Sequence, residues 1–279
     1  MGQPGNLHDQ ADAILFSVDQ DDKFLAVEPI AKLVRSNGIQ FPTLEPPVDF
    51  DRKKPGDLEE FKKRFLQSGN RVETFRGGAN LGSGTLGKSI VSGDDEGCVQ
   101  LSTILTTRST PSPFLAATPG AGISNHRSTR RSANSGERNT LMRLGKQFLL
   151  ANGRDPSSLQ TAKLGPVIST QLRNRAGQAI IGRIDVEVRV SVHRLFLIAE
   201  QVNGEYRLTL SLLEYEPDIN ADKGEVIHTY LDQLDLNGDG ADEVIMKTTL
   251  YETWFYSIWQ FDSSQQEWRK IYAGGGGGC

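Results

Sequence analysis

The sequence predicts an α+β protein whose C-terminal half is mainly antiparallel β, with helices in the N-terminal third and the middle. Three stretches carry that expectation. IDVEVRVSV (184–192) puts Ile184, Val186, Val188, Val190 and Val192 on one face and Asp185, Glu187, Arg189 and Ser191 on the other, the period of a half-buried strand. Asn203-Gly204 stands between HRLFLIAEQV and YRLTLSLLEYE, and this dipeptide suits the positive φ angles of a two-residue hairpin. GDLEEFKKRFLQSG (56–69) has helical spacing instead, with Asp57 as cap, Glu60 three residues on, Phe61, Phe65 and Leu66 on one face, and Gly69 as stop.

In chain order, EPIAKLVRSNG (28–38) reads as a short helix, with Pro29 in the first turn, Ile30, Leu33 and Val34 apolar, and Asn37-Gly38 ending it. FPTLEPPVDFDRKKPG (41–56) is a proline-rich connection. RVETF (71–75) and CVQLSTILTT (98–107) read as strands on either side of a glycine-rich stretch. Residues 108–138 are dominated by Pro, Ser, Gly, Thr and Asn and read as a linker, whose RSTRRS is a solvated run or a contact for an anionic surface. A helix near Glu137–Asn152 collects Leu141, Leu144, Phe148 and Leu149 on one side. Asp155-Pro156 then starts another short helix, and beyond Pro166 the pattern is β. VIMKTTLYE, TWFYSIWQFD and EWRKIYA complete a run of antiparallel strands. The expected division is an N-terminal α+β region (1–107), the linker (108–138), a helix plus antiparallel region (139–273) and a glycine tail (274–279).

With 37% hydrophobic and 24% charged residues, a chain of 279 is expected to be a soluble globular protein. No apolar run approaches the roughly 20 residues of a membrane-spanning helix. No signal peptide is expected in the opening residues, which lack a basic region; a mature exported chain restarted with Met would read the same. A net charge of −4 argues against a nucleic-acid partner. Cys98 and Cys279 form no CxxC pair, so a thiolate zinc site is not expected. The AGGGGGC ending is either an added handle or a flexible strap that brings Cys279 to Cys98.

GSGTLGKS (82–89) matches the phosphate-loop pattern at every required position, and GSGTLG also matches the dinucleotide pattern. Both need a buried strand before the loop and a helix starting at its end, where amides and positive potential meet phosphate. FRGGANL precedes Gly82 and IVSGDDEG follows Ser89, which supply neither. The stretch reads as a glycine-rich turn between strands, with GKSIV entering the second; as a nucleotide site it is a decoy.

LDQLDLNGDGADEVIM carries the specific signal. Asp235, Asn237 and Asp239 alternate, Gly240 permits a sharp turn, and Glu243 is ninth from Asp235. Calcium takes six to eight oxygen ligands, several of them carboxylates, and alternate side chains of a wound loop converge on one centre. The expected ligands of one Ca2+ are therefore the side chains of Asp235, Asn237, Asp239 and Glu243 and the carbonyl of Ala241, with Asp242 facing solvent or a second layer. Position twelve, where an EF-hand needs Glu, is Met246, and the flanks read as strands.

Strand, short calcium loop, strand resembles the FG-GAP/VCBS repeats of integrin-type propellers, bacterial type, and YETWFYSIWQFDSSQQEWRKIY resembles the paired strands after such a loop. The resemblance covers about residues 228–272. It implies an FG-GAP-like calcium hairpin within a smaller α+β body. QLRNRAGQAIIG (171–182) laid on DLNGDGADEVIM (235–246) places Gln171, Arg173, Arg175 and Ala179 where Asp235, Asn237, Asp239 and Glu243 stand. This is either chance or an earlier copy whose arginines replace the cation's charge.

His8, His126, His193 and His228 are scattered, with no HExxH and no nucleophile elbow, so they read as ordinary residues. Trp254, Tyr256, Trp259 and Trp268 read as sheet core before they read as a sugar- or peptide-binding face. The expected function is a calcium-stabilised, non-catalytic binding or structural protein outside the cytoplasm, periplasmic or secreted, with a protein or glycan partner. The alternative is a secreted or periplasmic hydrolase in which calcium supports a site elsewhere, marked by an aromatic cleft with convergent carboxylates.

Overall fold

A computed structural model describes residues 12–21, 24–34, 43–46, 55–92, 100–107, 112–173, 177–188, 191–216 and 226–278. The first part holds β1 (Ala13–Asp21), β2 (Phe24–Val34), β3 (Thr43–Glu45), α1 (Pro55–Phe65), β4 (Arg71–Arg76), β5 (Ala79–Ser92), β6 (Gln100–Thr106) and β7 (Phe114–Ala117). Its sheet runs β1-β7-β4-β5-β6-β2-β3, and β1 also pairs with β2, so all its strands but β3 close a barrel. Alternation sends Ile14, Phe16 and Val18 into one cluster with Val72, Leu86, Leu105 and Phe114, joined by Phe61 and Phe65 of α1. Leu15, Ile30, Leu33, Phe75 and Leu115 point to the opposite face and into a second cluster. Asp57 lies inside the first turn of α1 rather than at its cap.

Three expectations for this part are corrected. EPIAKLV is strand, because Leu15 pairs with Ala31 and Phe16 with Pro29, leaving Ile30 as the extra residue of a bulge. The bulge puts Ile30 and Ala31 in the same cluster, and the broken alternation mimics helical spacing. The segment expected as a linker supplies β7, whose four residues are all fully buried between β1 and β4. GSGTLGKS is neither turn nor loop: it lies within β5, and Ser89 pairs with Thr103 of β6. The turn is at Gly77-Gly78, with φ of +58° and +78°, and no helix starts at Lys88.

The second part holds β8 (Arg131–Ser132), α2 (Ser135–Ala151), a 3-10 turn (Ser158–Thr161) and β9 (Lys163–Thr170). β10 (Ala179–Val188), β11 (Ser191–Val202) and β12 (Glu205–Glu216) complete a sheet in the order β12-β11-β10-β9-β8. Asn134 and Glu137 cap α2 reciprocally. Asn203 and Gly204 take the positive φ angles expected of the β11–β12 hairpin. The unbroken alternation over 184–192 misleads, since β10 ends at Val188, which pairs with Ser191. Val192 therefore stands opposite Glu187, on the face away from Ile184 and Val186.

The third part is a meander, β13 (Ile227–Leu234), β14 (Glu243–Thr249), β15 (Thr253–Asp262) and β16 (Glu267–Gly278), paired in sequence order. It is buried on both faces. Leu231, Leu234, Ile245, Tyr256, Ile258 and Tyr272 pack on the barrel. Tyr230, Val244, Met246, Phe261 and Trp268 pack on Ile181, Phe196 and Ile198 of the second sheet, whose other face is covered by Leu141 and Leu149 of α2. Of the four large aromatics, Tyr256 and Trp268 are buried and Trp254 and Trp259 half-buried against these clusters, as core.

The two sheets share a register along the chain. β9 spans Lys163–Thr170 and β13 spans Ile227–Leu234, an offset of 64 at both ends, and β10 and β14 start at Ala179 and Glu243, again 64 apart. The glycine tail, expected as a flexible appendage, is the last part of β16 through Gly278. A Cβ on Gly275 would stand 2.5 Å from the Ile30 carbonyl oxygen of β2. The Cys98–Cys279 pairing falls on residues outside those described. Among the described residues no helix is long and apolar enough to cross a membrane.

Candidate functional site

The DLNGDGADE loop joins β13 to β14, and its side chains turn onto its own backbone. Asp235 accepts hydrogen bonds from the amides of Gly238 (2.6 Å) and Gly240 (3.0 Å) through its two oxygens. Asn237 Oδ1 accepts from the Asp239 amide and Asp239 Oδ1 from the Ala241 amide. Glu243 Oε2 accepts from the Leu236 amide at 2.8 Å, which closes the loop across its base. Gly238 and Gly240 have φ of +79° and +84°, so the winding needs glycine there.

Asp235 and Glu243 are buried, while Asp239 is exposed and Asn237 half-buried. Burial pushes the Glu243 carboxyl up to about 8, and the charges of Asp239 and Asp235 push the same way. Among the described residues neither Asp235 nor Glu243 has a basic side chain within ion-pair distance. The donors are all oxygens, the set a hard cation such as calcium takes. Among the described residues no three acidic, histidine or cysteine side chains stand close enough together to hold a metal ion. A cation here would therefore have to draw the outer side chains, Asn237 and Asp239, inward.

Residues 171–173 lie against this loop. Arg173 bridges to Ala241, the Asp242 amide donates to the Leu172 carbonyl at 2.7 Å, and Gln233 Nε2 donates to the Gln171 carbonyl. Leu172 and Leu236, equivalent at the 64-residue offset, are both buried. The difference is in charge. Ala179 replaces Glu243, but its neighbour across the strands is Glu200, buried and ion-paired with Arg173 at 2.8 Å. The corresponding neighbour of Glu243 is neutral Gln260, at 3.3 Å. One buried acid has its cation built in, and the other does not.

Of the two places expected for Asp242, solvent or a second layer, solvent is corrected: it is buried, and both its oxygens lie 2.8 Å from His126 Nε2. Gln233 Nε2 donates to it as well, at 2.6 Å. Next to this pair, Arg130 and Asp232 form an ion pair at 2.7 Å with side chains 4% and 0% exposed. The Gly77 amide donates to Asp232 and the Gly78 amide to the Gln233 carbonyl, which docks the barrel's glycine turn on β13. Arg130 is thus enclosed rather than solvated, whereas Arg127 and Arg131 are exposed and Arg131 pairs with Glu137 at 2.7 Å. Sequence alone had no signal for His126 or Arg130, whose acids lie more than a hundred residues away.

The Asp242 hydrogen bond holds the His126 imidazole up to about 9. A histidine raised above its unfolded value of 6.5 contributes stability that is full below pH 6.5 and lost as pH rises through about 9. The ring is about a third exposed, so solvent screening limits the effect to about 1 kcal/mol. Urea melts should show the wild type losing its advantage over His126→Gln between pH 6 and pH 9.5. An advantage that stays constant over that range would contradict the pairing.

No family model, no curated protein and no solved structure matches this chain.

Proposed function

We propose that this is a calcium-stabilised, non-catalytic binding or structural protein that works outside the cytoplasm, with one Ca2+ in an FG-GAP/VCBS-like hairpin over about 228–272. The carrying observation is the unmatched charge of the two segments: Glu200 has Arg173, whereas Asp235 and Glu243 have no basic side chain within ion-pair distance among the described residues. A buried acid without a counter-charge is costly, and a cation removes that cost. Asp235, Asn237, Asp239 and Glu243 would offer side-chain oxygens and Ala241 its carbonyl. Calcium would return Glu243 to its charged form. Two successive antiparallel meanders in register, each with its loop after the first strand, also support the resemblance. The work of such a body is to present surfaces to a protein or glycan partner. Filled aromatic core in place of an aromatic cleft sets the hydrolase reading behind it.

Thermal melts test the metal. At calcium a hundredfold above its dissociation constant, linkage adds roughly 2.7 kcal/mol, which for a chain of this size raises the midpoint by about 5–10 °C. Asp239→Ala should abolish the rise. Asp242→Ala should lower the starting midpoint, because His126 and Gln233 lose their acceptor, and keep the rise. Magnesium, which holds its waters in a tight octahedron, should substitute poorly. Identical melts in calcium and in EDTA would sink the proposal.

A further inference from the structure

An open groove of about 800 Å3 lies between turns of the second and third sheets, within the size range of small-molecule sites. The β11–β12 hairpin supplies Gln201 and Asn203, the β15–β16 turn supplies Ser263 and Gln266, and the loop after β13 supplies Asp239. Asn203, Ser263, Gln266 and Asp239 are exposed, so a ligand in the groove can reach them. Asn203 and Gln266 have φ of +54° and +57°, and among the described residues they are the only non-glycine residues with positive φ. Glycine holds that conformation at less cost, and strained positions gather at binding sites. Here both strained positions place a side-chain amide on one groove. Gln266 Nε2 donates to the Ser263 carbonyl at 2.7 Å, which closes the turn and leaves Oε1 as an acceptor.

The charges of the groove narrow the ligand. Arg173 lines it but is paired with Glu200 at 2.8 Å, and its guanidinium lies 3.8 Å over the ring of Phe261. Asp239 has no basic side chain within ion-pair distance among the described residues, so the charge left over is negative and disfavours an anion. A side-chain amide both donates and accepts hydrogen bonds, as a sugar hydroxyl does. We propose that this groove binds a neutral disaccharide unit of a glycan, with its hydroxyls on the side chains of Asn203, Ser263 and Gln266. The volume admits roughly 25 heavy atoms at ~30 Å3 each, about two hexose rings. The assignment rests on the reading of this chain as a binding body and narrows its partner to a glycan. Its anchors lie outside 235–243, so sugar binding and calcium binding can fail separately.

Titration with maltose, cellobiose, lactose and diacetylchitobiose, in calcium, should show saturable binding of at least one of them, one molecule per chain, in the millimolar range. In nuclear magnetic resonance spectra the bound sugar should shift the backbone amides of 201–204 and 263–266. Asn203→Gly with Gln266→Gly removes both amides where φ suits glycine, so the melting midpoint should hold. Binding by that double variant should weaken about tenfold, the loss of two neutral hydrogen bonds. Should the variant not fold, the shift map on the wild type decides. Blocked tetra-alanine, a neutral peptide, should not bind. Saturation by none of the four sugars at tens of millimolar would overturn the assignment. So would shifts confined to other segments, unchanged affinity in the folded double variant, or binding of the peptide in place of the sugars. Calcium heat without sugar binding sinks the groove alone, and sugar binding without calcium heat sinks the metal alone.

Discussion

Replacing Arg130 by methionine is expected to destabilise the protein by about 3–5 kcal/mol, the usual cost of leaving one partner of a buried ion pair alone. The midpoint should fall by about 6–20 °C. The pair is almost completely enclosed, and it ties the 124–131 segment to β13 beside the barrel's glycine turn. Burial already outweighs Arg130 and raises the Asp232 carboxyl to about 6. A carboxyl raised above its unfolded value of 3.8 favours the fold when protonated, and that contribution fades as pH climbs through about 6. Without the guanidinium the fading must extend to higher pH. The loss in Arg130→Met should therefore be larger at pH 8 than at pH 5. Arg130→Met with Asp232→Leu should recover most of the stability, because no charge is then left buried. Denaturant melts of the three proteins at both pH values check this, and a pH-independent loss under 1 kcal/mol would contradict it.

Gly276→Ala is expected to cost roughly 2–6 kcal/mol, combining left-handed strain of about 1–3 kcal/mol with overpacking of about 1–3 kcal/mol. Gly276 has φ of +91°, and a Cβ there would stand 2.0 Å from the Trp254 carbonyl oxygen. That oxygen belongs to the backbone of β15 and has no rotamer through which to escape. Gly120 supplies the comparison, since it has φ of +79° with open space around its Cβ direction. Gly120→Ala should cost only about 1–2 kcal/mol. Equal melts for the two variants would mean that the glycine run is not seated on β15.

The legible parts of this fold were those whose signal is local. The Asn203-Gly204 hairpin, α1, α2 and β14 to β16 follow from turn chemistry and periodicity over a dozen residues. The illegible parts depended on partners distant in sequence. At Pro29–Ala31 a bulge dictated by pairing with β1 imitates helical spacing. β7 is four residues in a stretch of turn formers, and its place between β1 and β4 is what makes it a strand. Five glycines carry no side-chain signal, yet close approach to β2 requires Gly275, and close approach to β15 requires Gly276 and Gly278. At the site, the acidic spacing of 235–243 was readable, whereas the partners that bury Asp242 were not. Alternation along the loop points Asp242 outward, but His126 and Gln233 come from elsewhere to cover it.

Calcium binding itself tests the central claim most directly. Calorimetry of EDTA-stripped protein titrated with calcium chloride should give one ion per chain for the wild type and none for Asp239→Ala or Glu243→Gln. His126→Gln should still bind one. An absence of heat with millimolar calcium, or equal binding by wild type and Glu243→Gln, would contradict the account.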